Sequence, residues 1–197
     1  MTRAPLVIVM IVVAAGSAVA NLAQLPQPVI NALTPIDSLP SSEQIDAVHG
    51  GSEEALANLQ AIALAEAGVD VGVRLRAVRA LTQYCAAPCG SHEAHATLVT
   101  VATTPRYRDA LRGSDLLVLR AAIESIGILR VPGDVNVLIP QLDHPSRDIR
   151  AATAHALRDL GNTQAITPLR ARYQAEQVDQ VRIAISDALR VLGQPVQ

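Results

Sequence analysis

The chain has 197 residues, a formal charge of −2, half of its residues apolar, no Phe or Trp and three Tyr. This length suits one hydrophobic core or one continuous solenoid and is short for two independent domains, and a core without large aromatics must be built from Ala, Leu, Val and Ile, as in closely packed helices. Every basic residue other than His is Arg, and there is neither a contiguous basic tract nor an aromatic platform, which argues against nucleic acid as a partner.

At the N-terminus, Arg3 precedes an unbroken apolar run from Leu6 to Ala15, and Ala18-Val19-Ala20 supplies the small-x-small pattern of a signal-peptidase site. Residues 1–20 are therefore expected to be a signal peptide cleaved before Asn21, giving a periplasmic or secreted protein of charge −3 once Arg3 is removed. The alternatives are an uncleaved anchor holding the chain to the membrane on its extracytoplasmic side, and a buried structural segment. Only the anchor would make the membrane a partner. No cysteine follows the run, so a lipid anchor is not supported.

Residues 21–51 contain Pro26, Pro28, Pro35 and Pro40 and are read as a Pro-rich linker and N-terminal cap, with one short turn at Val29–Leu33 and a brief helix capped by Ser41 or Ser42. From Ser52 the pattern becomes helical. Ser52 is expected to cap a helix reaching about Ala67, Gly68 to stop it, and Asp70 to cap a second helix carrying Val73, Ala77, Ala80 and Leu81. So short a turn makes the two a hairpin. Val73-Arg74, Leu119-Arg120, Ile149-Arg150 and Val181-Arg182 then begin similar apolar faces, with the arginines 46, 30 and 32 residues apart. Two near-equal periods and one enlarged one point to stacked units with an insertion. Helix pairs are expected at about 52–86, 92–129, 133–161 and 163–193, with a tail at 194–197. Pro145 and Ser146 open a helix, and Gly161-Asn162 closes it and caps the next, whose Ile166, Leu169 and Tyr173 form a stripe.

The segments Val73–Leu81, Ile149–Leu157 and Val181–Leu189 resemble the second helices of the short HEAT-like repeats of phycobilin-lyase-type and armadillo-like proteins. The copy at Leu119–Gly127 departs by placing Gly127 where the others have Leu. The resemblance covers about 70% of the chain and implies an all-α fold, a right-handed alpha-alpha superhelix of about four helix pairs at 52–193. It also implies that Arg74, Arg120, Arg150 and Arg182 brace adjacent repeats through acidic side chains or carbonyls near the inter-helix turns. Asp70, Asp115, Asp148 and Asp179, near the starts of the same helices, are read as caps or as partners of those arginines. A shared anion-binding groove is the alternative reading of the arginines.

Cys85 and Cys89 are the only cysteines. Export would favour a structural disulfide between them, fixing the enlarged connection after the first full pair. Cys85-x3-Cys89-x2-His92-x2-His95 also contains four ligands of the types that hold zinc, which keeps a Zn site open beside a redox pair or free thiols. His49 and His144 are read as turn residues and His155 as a helix residue. No Ser-His-Asp constellation or phosphate loop is evident.

The leading functional reading is a noncatalytic extracytoplasmic protein-binding or assembly module, its partner an unidentified protein or peptide of the cell envelope. Glu53, Glu54, Arg76, Arg79, Arg147, Arg158, Arg170 and Arg172 are candidate contact residues. A HEAT-like lyase or lyase accessory protein, suggested by the bilin-lyase resemblance, and a metal-stabilised structural module are the alternatives.

Overall fold

The computed structural model describes residues 27–34, 38–64, 69–85 and 92–193, and every regular element among them is helical. Two short helices come first, α1 (Gln27–Ala32) and α2 (Ser42–His49). α2 opens with a reciprocal cap: the Gln44 amide donates to the Ser41 hydroxyl and the Ser41 amide donates to the Gln44 side chain at 2.9 Å. It stops where Gly50 turns left-handed at φ 91°. Val29, Leu33 and Ile45 are buried in the same core as the later helices, so this Pro-rich stretch packs onto the stack.

The first long pair is α3 (Ser52–Ala63) and α4 (Val71–Ala80). Ser52 is the first helical residue rather than the cap; Gly51 takes the cap position, and the Ser52 hydroxyl donates to Asp46 on α2 instead. Asp70 caps α4 as expected, accepting from the amides of Gly72 at 2.8 Å and Val73 at 3.3 Å. α4 tightens into a 3-10 turn over Leu81–Tyr84. There the Tyr84 hydroxyl donates to Asp46 at 2.6 Å, tying the end of the pair back to α2.

The second unit contains α5 (Glu93–Thr103), the one-turn α6 (Pro105–Arg108) and the long α7 (Gly113–Leu129). α6 is part of the insertion behind the enlarged period. Pro105 sits at its first position, where a missing amide costs no helical bond, and the turn buries Tyr107. In the third unit the first helix is reduced to α8 (Val135–Leu138) between 3-10 turns at Pro132–Asp134 and Ile139–Asp143, because Pro140 has no amide to continue the α ladder. Its partner α9 (Arg147–Leu160) is regular and ends on left-handed Gly161. The Gln164 amide then donates to Asn162 in a 3-10 turn at Thr163–Ala165, which leads into α10 (Ile166–Ala175) and α11 (Asp179–Val191).

The helices form two layers. α4, α7, α9 and α11 pack one on the next, while α3 lies on α5, α5 on α8, and α10 on the 3-10 turn that follows α8. Their shared core is aliphatic: Leu59, Ile62, Leu98, Leu119, Ile123, Leu138, Ile149, Leu157, Ile185 and Leu189 are all fully buried. Each contributes about 1.5–3 kcal/mol by leaving water. This is a HEAT-like solenoid.

Gly127 has a packing reason. A Cβ there would lie 2.6 Å from the Ala156 Cα and 2.9 Å from its Cβ, so α7 and α9 cross with backbones almost touching. Leu at this position, as in the other copies, would force the two helices apart.

Candidate functional site

Three of the four repeated arginines occupy one structural position, the fourth residue after the helix cap: Arg74 after Asp70, Arg150 after Ser146 and Arg182 after Val178. In α7 the cap is Arg112, so that position belongs to Leu116 and Arg120 falls one turn later. Arg120 is accordingly exposed and pairs with Glu124 on its own helix at 2.8 Å, which corrects its expected place between repeats.

Arg150 is the most completely satisfied. Its Nε and Nη2 donate to the two oxygens of Glu176 at 2.7 and 3.0 Å, and its Nη1 donates to the carbonyls of His144 and Pro145 at 2.9 Å each. Glu176, at the turn between α10 and α11, also accepts from Arg172 and from the amides of Gln177 and Val178 at 3.0 Å each. The Arg150 guanidinium, with these further donors, holds the Glu176 carboxyl down at about 2 against the pull of burial. Arg182 completes the turn by donating to the carbonyls of Tyr173 and Glu176 and lying 4.2 Å over the Tyr173 ring.

Arg74 reaches the next unit differently. Its Nη2 donates to the Tyr107 hydroxyl at 2.9 Å and its Nη1 stands 3.6 Å from Asp115, while its Nε has no hydrogen-bond partner among the described residues. Asp115 is held mainly by Arg106, at 2.9 and 3.2 Å, and that guanidinium lowers its carboxyl below the usual range. Of the other named acids, Asp148 lies 3.8 Å from its neighbour Arg147, and Asp179 sits exposed in the first turn of α11, where negative charge suits the helix dipole.

Cys85 is half-buried against the core, whereas Cys89 lies outside the described residues and no disulfide joins two described residues. The expected disulfide falls on Cys89, outside the described residues, and no described cysteine is free; the end of α4 is tied besides by Tyr84 to Asp46 and by the Gln83 side chain to the Pro40 carbonyl at 3.0 Å. The expected signal peptide, residues 1–20, also lies outside the described residues; among those described, no helix is long and apolar enough to cross a membrane.

His92 is exposed at the start of α5. His95 turns away from it and buries its Nε2 between the two oxygens of Asp134, 2.9 Å from each, joining α5 to the third unit. Burial outweighs that contact and pushes the Asp134 carboxyl up. Among the described residues, no three His, Cys, Asp or Glu side chains gather in a way that could hold a metal ion.

The other histidines differ among themselves in burial. His49 is buried at the end of α2 against Asn58, His144 is buried with its Nδ1 accepting from the Ser146 amide at 3.0 Å, and His155 is exposed. Burial lowers the affinity of both His49 and His144 for a second proton. Sequence reasoning missed Glu176, Tyr107 and Asp134 as partners. The signal for Glu176 was faint: one acid at an inter-helix turn, six residues before Arg182.

Among the candidate contact residues, Arg158 and Arg172 are engaged with Asp187 and with Glu176 and Asp143, and Arg76 donates to the Thr34 carbonyl. Glu53, Glu54, Arg79, Arg147 and Arg170 are exposed. Between the starts of α7 and α9 lies an open recess of about 610 Å³, formed by residues 111–113, Leu116 and Leu117 on one side and residues 145–148 on the other.

The HEAT repeats family model matches residues 104–190, the span from α6 through nearly all of α11. No curated protein matches the chain. The match falls on the units whose second helices pack in series, and residues 104–190 of this chain are HEAT-like repeats.

Proposed function

We propose that the chain is a noncatalytic extracytoplasmic module that binds or assembles a protein or peptide partner. One contrast supports this reading. The buried charged side chains Arg74, Asp134, Arg150 and Glu176 are directed at junctions between helices, whereas the large aliphatics Leu111, Leu117, Ile128 and Ile183 stand 46–70% exposed. Charged groups engaged in holding helices are poorly placed to turn over a substrate, and exposed aliphatics on a repeat stack suit contact with another chain. The leader read in the sequence supports the extracytoplasmic setting.

Photo-crosslinking from the exposed face of α7 in the native envelope, with the captured species identified and rebuilt from purified components, tests the proposal. A stoichiometric protein complex that survives controlled salt and detergent is the expected result. Recovery of no reproducible partner, or covalent turnover of a small molecule by the purified chain, would overturn it.

A further inference from the structure

We infer that the recess between α7 and α9 docks an extended peptide segment, taking a carboxylate between Arg112 and Arg147 and an aliphatic side chain on Leu111 and Leu117. This inference rests on the binding reading above and names the chemistry of the partner. Leu111 is 63% and Leu117 46% exposed, and both line the recess together with half-buried Leu116 and with Pro145. Four apolar residues in one depression favour an apolar occupant.

The charge of the recess selects that occupant further. Arg106 and Arg108 stand just before it in sequence and are tightly paired, with Asp115 at 2.9 Å and Asp109 at 2.8 Å. Arg112 makes no ion pair among the described residues, and Arg147 is held only loosely by Asp148 at 3.8 Å. The recess therefore holds two cations, Arg112 without an ion pair and Arg147 loosely paired, against one acid, while the chain as a whole carries −2. The same depression receives the starts of α7 and α9, neither of which has a side-chain cap, so both helix dipoles add to the preference for negative charge. A basic or wholly polar segment would lose one or both of these matches.

The experiment is fluorescence anisotropy of the full chain with a labelled peptide of alternating Asp and Leu, compared with Lys-for-Asp and Ser-for-Leu versions. The Asp-Leu peptide should bind best, weaken with salt, and lose about tenfold or more in affinity for the Arg112→Gln/Arg147→Gln variant. Leu117→Ser should also weaken it, with the circular dichroism and melting temperature of all variants unchanged, since these side chains are exposed. Equal affinity for the Lys peptide overturns the inference, as does unchanged binding by the variants. Self-association that disappears in the double variant also overturns it, by making the recess an interface between copies. If a protein captured from the envelope binds the double variant as well as the parent, the recess assignment fails and the broader binding reading stands. If capture fails while peptide binding stays intact and variant-sensitive, the recess assignment stands and the envelope-partner reading falls.

Discussion

The junction at Glu176 and the junction at Tyr107 use the same arginine position with different completeness. At Glu176, Arg150 fills its donor fork with a bidentate carboxylate and two carbonyls. At Tyr107, Arg74 has one hydroxyl, one acid at 3.6 Å, and an Nε without a partner among the described residues. The repeat thus specifies a buried donor group, and the turn of the following unit specifies how well it is satisfied. A buried guanidinium is costly unless its partners are in place, so the two junctions should respond unequally to loss of an acid.

The largest effect is expected at Glu176. Glu176→Gln removes the charge opposite Arg150 and should cost about 3–5 kcal/mol in urea unfolding. Asp115→Asn should cost about 1 kcal/mol by the same measurement, because Arg74 keeps Tyr107 and Asp115 is partly open to water. A larger loss at Asp115 than at Glu176 would break the comparison.

The pH dependence carries the same contrast. Glu176 is held at about 2 against an ordinary 4.5, so the folded chain resists protonation there more than the unfolded chain does. Its contribution, about 3 kcal/mol, is present above pH 4.5 and is lost as pH falls toward 2. His49 and His144 act earlier. Their affinity for a proton is lowered by burial, so stability should begin to fall once pH drops below the ordinary histidine value of 6.5, and should rise again on return to neutrality. Unfolding curves at stepped pH would resolve the two windows, and Glu176→Gln should remove the lower one.

Gly127→Ala should cost about 2 kcal/mol despite the better helix propensity of Ala, since the new Cβ meets the α9 backbone at 2.6 Å. The smallest effect belongs to Arg120. Exposed and paired only with Glu124 on its own helix, it should change stability by less than about 0.5 kcal/mol when replaced by Ala. A loss near that of Glu176→Gln would restore Arg120 to the bracing set.

The helical stack was legible in the sequence because aliphatic periodicity, Asp70, Gly161 and the prolines each act within a few residues of where they stand. Register in α7 was not. The run Leu119-Arg120-Ala121-Ala122 imitates Ile149-Arg150-Ala151-Ala152, yet α7 is capped a turn further upstream, and Arg120 is exposed while Leu119, Ala121 and Ala122 stay buried. The partners Tyr107, Asp134 and Glu176 were hidden for a different reason: each is brought to the side chain it meets by the stacking of one unit on the next, across 26 to 39 residues. The recess was equally invisible, since two helix starts from successive units form its walls.

The most direct test of the account is a double-mutant cycle on Arg150 and Glu176, using Arg150→Met, Glu176→Gln and the pair in urea unfolding. Bracing between repeats predicts a coupling above about 2 kcal/mol, with the double variant recovering much of what either single change loses. Additive losses, with coupling near zero, would contradict the account.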